Sequence, residues 1–391
     1  MATSLFHVGV LLGLLAFDWK WRRSVHCAQS PGRWLGRLLR DLLMLAVVIY
    51  LLSLIATLIA NLTWPGRLRL GQISLRLLGQ AIFVEGPLLA LILAWRHRTA
   101  NEVGKARVLL AACLALSAVH VDAYYIEPRM LVPRHYVVEP MNGVPSGRSI
   151  RILHVTDIQT PTIGAHEEHA LRLGLSYRPD LIVLTGDYVQ DALGRATELK
   201  AAADLRALMA RIGFDAPLGV FATEGDVGPP CDVVFGGTAV RCLSDRSEAV
   251  DLPGGGRLAI TGLSRGRGRE RDPKVLAHML AVAPEADYRI VISHAPDFIS
   301  AMPVNVDLAL AGHTHGGQVV IPFFGPPRTA IRLPRRYAGG LNDYRGTPLH
   351  VSRGLGMERG FDIPVRFLCP PEIGILDLRL ARRGAHTVGS D

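Results

Sequence analysis

The sequence predicts an α-helical membrane region followed by an α/β domain in which sheets and helices form layers. In the first third the apolar runs are long, and the run over residues 42–60 is free of charge and long enough to cross a bilayer as a helix. From about residue 148 the apolar runs become short, and each ends in polar or ionisable residues. That second pattern is typical of strands whose terminal loops carry a site.

Four apolar segments are predicted to form membrane helices, over about residues 4–17, 42–60, 77–95 and 108–126. Glu85 interrupts the third segment, and the fourth contains His120 and Asp122. All five Trp residues lie outside these segments or at their ends, where amphipathic rings prefer the headgroup region. A signal peptide is the alternative for the first segment, but its positive charges follow the apolar run, so an uncleaved anchor fits better.

Positive charge is concentrated in this membrane region. Residues 1–129 hold 14 Lys or Arg and 6 Asp or Glu, which leaves 43−14=29 basic against 34−6=28 acidic residues for the remainder. The excess of basic residues therefore lies beside the membrane helices, and it gives no reason to expect nucleic-acid binding. Residues 18–41 carry six basic residues, residues 96–107 four and residues 61–76 three. By the positive-inside rule we expect a multi-pass inner-membrane protein whose C-terminal domain is periplasmic or extracellular.

The remainder of the chain is predicted as a linker over 130–147, a catalytic domain over 148–380 and a tail over 381–391. A helix is expected at 166–177. Strands with their terminal loops are expected at 151–159, 181–189, 218–226, 257–265, 288–297, 306–317, 347–356 and 372–380. This order predicts an α/β or layered β sandwich with helices outside and a site at the strand ends.

Carboxylates and imidazoles collect at those strand ends and predict a metal site. Such mixed ligands on separate loops suit Mn, Fe, Zn or Mg, and a shared carboxylate can bridge two ions that clamp a phosphoryl group. Two His in GHTHGG could also be strand residues on one face, but TGD and SHAP precede them in order. The candidate ligands are Asp157, Gln159, Asp187, Asp226, His294, His313 and His315.

Five motifs occur in order: TDIQ (156–159), TGDYV (185–189), EGDVG (224–228), SHAPD (293–297) and GHTHGGQ (312–318). With them, residues 148–380 resemble the calcineurin-like metallophosphoesterases, most closely the membrane-associated bacterial branch that includes lipid-nucleotide pyrophosphatases. The resemblance implies a four-layer sandwich of two β sheets between helices, with two divalent metal ions. It implies that Asp157, Gln159, Asp187 and His315 hold the first ion, and that Asp187, Asp226, His294 and His313 hold the second.

Two motifs depart from the family pattern. Where the family usually has DxH the chain has Gln159, a weaker ligand than imidazole, and where the family has GNHD the chain reads Gly225-Asp226-Val227-Gly228. Val227 thus occupies the position of a His that aids proton transfer in the family, so the catalytic residue is unassigned.

Three functions follow from these departures. We expect a membrane-anchored hydrolase of phosphodiester or pyrophosphate bonds that favours good leaving groups. Its expected partners are the bilayer and a phosphorylated lipid or small molecule, without nucleic acid. The alternatives are a weakened or inactive metal-containing membrane protein that binds phosphorylated ligands, and a metal-free scaffold. The clustering of so many polar groups disfavours the last, because buried charges without partners are destabilising.

Other polar features have less specific interpretations. Cys231 and Cys242 could form a disulfide or remain two buried thiols. The arginines of residues 265–271 could form a basic rim for an anionic ligand or a mobile charged loop. The acids of residues 166–169 fit the start of a helix better than a metal cluster, and His154 and His278 are expected to be packing or surface residues.

Overall fold

The computed structural model describes residues 79, 83, 86–141, 143–190, 194–270, 272–358 and 364–381. The predicted membrane helices over 4–17 and 42–60 lie outside the described residues, as does the predicted tail beyond residue 381. The chain divides into two compact units, with a boundary between Asp122 and Ala123.

The first unit contains helices α1 (Gly86–Thr99) and α2 (Val103–Val121). Helix α1 ends beyond the predicted residue 95 and α2 begins before the predicted residue 108, because helical backbone extends past an apolar run into the neighbouring charged residues. Most of residues 77–85, at the start of the predicted third segment, lie outside the described residues. A π-helical turn over Asp122–Ile126 and a 3₁₀ turn over Glu127–Arg129 prolong α2. The resulting segment, Val103–Arg129, has a mean hydropathy of 1.6 and is only 6% buried. Within the described part of the chain it is the one helix that is long and apolar enough to cross a membrane.

Two six-stranded sheets form the centre of the second unit. The first has the order β1-β12-β2-β3-β4-β5 and contains β1 (Val132–Val138), β2 (Pro145–Val155), β3 (Leu181–Leu184), β4 (Val220–Ala222), β5 (Val240–Cys242) and β12 (Glu372–Ala381). The second has the order β10-β11-β9-β8-β7-β6 and contains β6 (Arg246–Asp251), β7 (Arg257–Gly262), β8 (Tyr288–Ile292), β9 (Leu308–Ala311), β10 (Gly340–Tyr344) and β11 (Thr347–Val351). Strands β2 to β5 run parallel in the first sheet, and β7, β8, β9 and β11 run parallel in the second.

Four helices join these strands: α3 (Ala165–Ser176), α4 (Arg195–Ile212), α5 (Cys231–Phe235) and α6 (Pro273–Ala281). Successive residues of β2 point to opposite faces, as strand geometry requires. Ile152 packs in a core shared by both sheets, and Leu153 packs against residues of α3 and α4. On the far side of the second sheet, Leu276 of α6 and Phe298 close a third core. The result is two mixed sheets packed face to face and flanked by helices, as the sequence predicted.

The predicted linker over 130–147 is corrected by the structure. Strand β1 pairs in parallel with β12, and β2 begins at Pro145, so most of this segment belongs to the first sheet. The sequence VPRHYVV is rich in β-branched and aromatic residues, which favour a strand.

Candidate metal centre

Loops at the carboxyl ends of parallel strands bring the seven predicted ligands together. Asp157 and Gln159 follow β2, Asp187 follows β3 and Asp226 follows β4 in the first sheet, whereas His294 follows β8 and the pair His313 and His315 follows β9 in the second. Because the two sheets face each other, their strand ends converge on one place.

The backbone is strained at this place. Positive φ angles occur at five of the seven predicted ligands: Asp157 (50°), Gln159 (36°), Asp187 (53°), His313 (70°) and His315 (49°). Non-glycine residues in this region cost on the order of 1–3 kcal/mol each and tend to cluster at functional sites. Two glycines allow the close approach, since a Cβ on Gly186 would lie 2.7 Å from Nδ1 of His294 and one on Gly312 would collide with Thr156 and Asp157.

The donor atoms form two groups. In one, atoms of Asp157, Asp187 and His294 all lie within 4.8 Å of one another, and in the other so do atoms of Asp226, His294 and His313. His315 adjoins the first group, with Nε2 3.5 Å from Oδ1 of Asp157. The prediction assigned Asp187 to both ions and His294 to the second alone, whereas in the structure Asp187 belongs to the first group and His294 is common to both groups.

Hydrogen bonds orient these side chains. Nδ1 of His294 donates to the carbonyl of Thr185 at 2.8 Å, which directs Nε2 toward Oδ2 of Asp187, 3.2 Å away. The other oxygen of Asp187 accepts the backbone N–H of Val227 at 2.9 Å. A hydrogen bond that fixes one imidazole nitrogen leaves the other available as a ligand.

Burial and mutual charge shift the pKa values of this cluster. Burial, reinforced by the Asp187 charge, raises the pKa of Asp157 to about 7. Burial alone would lower the pKa of His294. The charges of the Asp187 and Asp157 carboxylates outweigh the effect of burial and raise this pKa to about 10. The two shifts have different main causes, burial for Asp157 and the neighbouring carboxylates for His294, and both favour the protonated form of the group.

Gln159 has its amide nitrogen toward the site. Nε2 donates to Oδ2 of Asp187 at 2.8 Å and to Oε2 of Glu358 at 3.3 Å. A ligand role through the carbonyl oxygen requires the amide to turn over. Glu358, which also accepts from Gln190 at 2.7 Å, is a neighbour of the site that the sequence analysis missed. Glu358 lies outside the five motifs, so no motif indicated it.

An arginine of the 265–271 segment reaches the second donor group. Nη2 of Arg269 lies 2.5 Å from Oδ2 of Asp226 and 3.1 Å from Nε2 of His313. Arg265 bonds the carbonyl of Gly225 in the same altered motif. These contacts place two of the four arginines at the site, whereas Arg267 pairs with Glu270 and Arg271 lies outside the described residues.

The donor set fits divalent cations. Three carboxylates and three imidazoles are the oxygen and nitrogen ligands that Mn, Fe, Zn and Mg accept. Among the described residues, Nδ1 of His315 is a buried ring nitrogen with no hydrogen-bond partner, a costly arrangement that coordination of a cation would relieve. A cation would also offset the carboxylate charge that raises the pKa of Asp157 and His294.

The remaining polar candidates have structural roles. Glu167 accepts the backbone N–H of Gly164 and caps α3, while Glu168 pairs with Arg211 at 2.8 Å, so the acids of this helix are not a metal cluster. His154 is buried and its Nδ1 lies 2.9 Å from Nδ1 of His350, whereas His278 is exposed on α6. Cys231 and Cys242 form a disulfide with a Cα–Cα distance of 5.9 Å, which decides between the two alternatives for that pair.

Comparisons with known proteins show the family. The chain is 30% identical over 274 residues to an uncharacterised metallophosphoesterase of Aquifex aeolicus, a match that covers 67% of this chain and 97% of the relative. The chain belongs to the metallophosphoesterase family. This metallophosphoesterase is also 28% identical over 289 residues to the uncharacterised metallophosphoesterase YkuE of Bacillus subtilis, covering 69% of this chain and 93% of YkuE.

A third relative, the phosphodiesterase YaeI of Escherichia coli, is 30% identical over 219 residues, covering 54% of this chain and 74% of YaeI. No protein-family model matches the chain. The relatives and the donor cluster agree that this metallophosphoesterase is a metal-dependent hydrolase acting on phosphoric ester bonds.

Proposed function

We propose that this metallophosphoesterase is anchored in the inner membrane by its N-terminal helices, belongs to the membrane-associated branch, and hydrolyses a phosphodiester or pyrophosphate bond in a lipid-linked substrate. The observation that carries the proposal is the apolar helix Val103–Arg129, which leads into β1 after only two residues. A hydrolase domain attached so closely to such a helix has ready access to substrates at the bilayer surface.

Metal ions, when bound by the Asp157, Asp187, Asp226, His294, His313 and His315 donors, would supply a Lewis acid and a water of lowered pKa. The protein positions these donors. The Val227 N–H and the Gln159 amide hold the two oxygens of Asp187. The Thr185 carbonyl fixes the ring of His294. These contacts hold the donors in place before substrate arrives, which is the condition for electrostatic catalysis.

The altered third motif indicates the class of bond. Val227 keeps the backbone contact to Asp187, but its side chain cannot donate a proton to a departing oxygen. Loss of such a donor costs typically about 10²–10⁴ in rate and least for leaving groups that depart as stable anions. Pyrophosphates and diesters of acidic alcohols are such substrates. Arg269, at the edge of the second donor group, offers a guanidinium to their anionic oxygens.

Metal content and turnover test the catalytic part of the proposal. We expect two divalent metals per chain by elemental analysis of the detergent-purified protein, and hydrolysis of bis-p-nitrophenyl phosphate with added Mn that Asp187→Ala abolishes. Asp251, whose side chain is 87% exposed, provides the matched control, and Asp251→Ala should retain full activity. One metal or none, without turnover of activated esters or lipid pyrophosphates, would favour a protein that only binds phosphorylated ligands.

Orientation is tested separately. The Cys231–Cys242 disulfide supports a periplasmic or extracellular domain, since disulfides persist in oxidising compartments. A reporter fused after residue 391 should be active only outside the cytoplasm. A cytoplasmic readout would overturn the proposed topology without affecting the hydrolase assignment.

A further inference from the structure

The loop that follows the GHTHGGQ motif exposes large apolar side chains. In this aromatic loop (residues 319–325), Phe324 is 56% exposed, Ile321 is 44% exposed and Phe323 is fully exposed. Paired backbone hydrogen bonds between Ile321 and Gly325, at 3.0 and 2.8 Å, close a tight turn with Phe323 and Phe324 at its tip. The turn therefore has a defined backbone conformation, and it exposes two aromatic rings whose burial would stabilise the protein.

The apolar surface continues into the segment that enters the domain from α2. The N–H of Val320 donates to the carbonyl of Phe367 at 2.9 Å, and the next residue, Leu368, donates its N–H to Oε2 of Glu127 at 2.7 Å. Leu368 is 49% exposed, and exposed apolar side chains also lie beside Glu127 in sequence, at Tyr125, Ile126 and Met130. Hydrogen bonds thus link the aromatic loop, through Phe367 and Leu368, to Glu127 near the C-terminal end of the apolar helix.

Positive charge borders this surface. The sequence from residue 319 to residue 342 contains no Asp or Glu. It contains four arginines, all exposed: Arg328, Arg332, Arg335 and Arg336. The guanidinium of Arg335 lies over the ring of Phe324, with 4.5 Å from Cζ to the ring centroid. Aromatic tips with adjoining cations are typical of segments that sit at the boundary between acyl chains and anionic head groups.

We propose that the aromatic loop docks on an anionic bilayer, with Phe323 and Phe324 in the interfacial layer and the arginines at the head groups. This proposal rests on the proposed membrane anchor. The bilayer is the chosen occupant because hydrogen bonds join the aromatic loop to a segment with exposed apolar side chains at the C-terminal end of the apolar helix, and because arginines are attracted to an anionic membrane surface. The aromatic loop begins at residue 319, only four residues after His315. Docking of this loop would therefore hold His313 and His315 close to lipid-linked substrates.

An environment-sensitive label tests docking directly. A Phe323→Cys variant of the full chain, in a background with Cys27→Ser and Cys113→Ser, is labelled with NBD and reconstituted into vesicles of phosphatidylcholine with one quarter phosphatidylglycerol. Val282 is 69% exposed at the end of α6 and provides the control label through Val282→Cys. We expect NBD at residue 323 to shift to the blue, to brighten severalfold and to be quenched by lipids with nitroxide on the acyl chain. The label at residue 282 should report water.

Each contrary outcome overturns the proposal. Identical emission from residues 323 and 282 would show that the loop stays in water. If the NBD label at residue 323 is shielded from water more strongly at higher protein density, and equally with and without phosphatidylglycerol, the loop contacts a second copy of the chain instead. Raising the salt concentration should weaken the dependence on phosphatidylglycerol, because it screens the arginines.

Turnover separates failure of docking from failure of the proposed function. We expect Phe323→Asp with Phe324→Asp to lower hydrolysis of a polyprenyl pyrophosphate in vesicles about tenfold and to leave hydrolysis of bis-p-nitrophenyl phosphate in detergent unchanged. If the unmodified protein hydrolyses neither, the proposed function fails and the NBD result still decides docking. If it hydrolyses both and the double variant matches it on both, docking fails alone.

Discussion

Opening the Cys231–Cys242 disulfide should destabilise the catalytic domain by a predictable amount. The two cysteines are separated by 11 residues in sequence. A cross-link that closes a loop of about 12 residues removes roughly 9.5 cal/mol/K of entropy from the unfolded chain, or about 2.8 kcal/mol at 25 °C. For a domain of this size that corresponds to a decrease in Tm of about 6–10 °C.

The choice of assay follows from the sequence. All five Trp residues precede residue 96, so Trp fluorescence would report on the membrane region. Near-ultraviolet circular dichroism of tyrosine reports on the domain, where Tyr188 packs against Phe235 of α5 with ring centroids 4.6 Å apart. We expect dithiothreitol to lower the Tm of the full chain in detergent, and Cys231→Ala with Cys242→Ala to lower it to a similar degree.

Two comparisons make this prediction refutable. Cys113→Ala should behave as the unmodified chain, and the double alanine variant should no longer respond to dithiothreitol. If instead the oxidised and reduced forms melt at the same temperature, the loop does not constrain the unfolded chain and the entropy argument is wrong.

Three further predictions concern the site and the core. Arg269→Ala should raise KM for anionic substrates about tenfold, because a guanidinium that contacts their oxygens is removed. The same change should lower the Mn concentration needed for half-activation, because Asp226 loses the arginine that pairs with it. An unchanged KM would exclude a contact between Arg269 and the substrate. Val227→His should raise kcat on alkyl phosphodiesters by about 10² and have little effect on p-nitrophenyl esters; equal effects on both would exclude leaving-group protonation. Burial lowers the pKa of His350 to about 3 in the folded chain. Below pH 6.5 this imidazole therefore binds a proton in the unfolded chain but remains neutral in the folded chain. His350 alone should therefore contribute about 2 kcal/mol to the loss of stability between neutral pH and pH 5, as measured by urea unfolding. His350→Phe should remove that share, while the other buried histidines with lowered pKa values keep theirs.

The fold could be predicted from the sequence except at the edges of the sheets. All eight predicted strands are present, and the four that were missed, β1, β5, β6 and β10, are the edge strands of the two sheets. Central strands are buried on both faces and read as continuous apolar runs, such as LIVL of β3. Edge strands are partly solvated, as the half-buried pattern of β6 shows, so their sequences lack that signal.

The site could be predicted as a set of ligand types but not as a set of contacts. Motifs indicate which residues follow which strands, and the convergence of Asp187 with His294 then follows from sheet topology. The contact of Arg269 with Asp226 spans 43 residues of sequence and depends on how two loops cross. Glu358 reaches Gln159 across 199 residues. No local pattern encodes such pairs, so the sequence could not predict them.

The altered third motif is better explained as a rearrangement of charge than as decay. Relative to the family pattern GNHD, the anion has moved from the fourth position, now Gly228, to the second, now Asp226. The imidazole that would stand at Val227 is gone, and Arg269 supplies a cation 2.5 Å from the new carboxylate. A site under no constraint would not keep Asp187 and His313 in costly positive-φ conformations or pair a new anion with a distant arginine. The contacts therefore favour a working hydrolase, and the loss of the imidazole at Val227 is the reason for proposing a substrate with a stable leaving group.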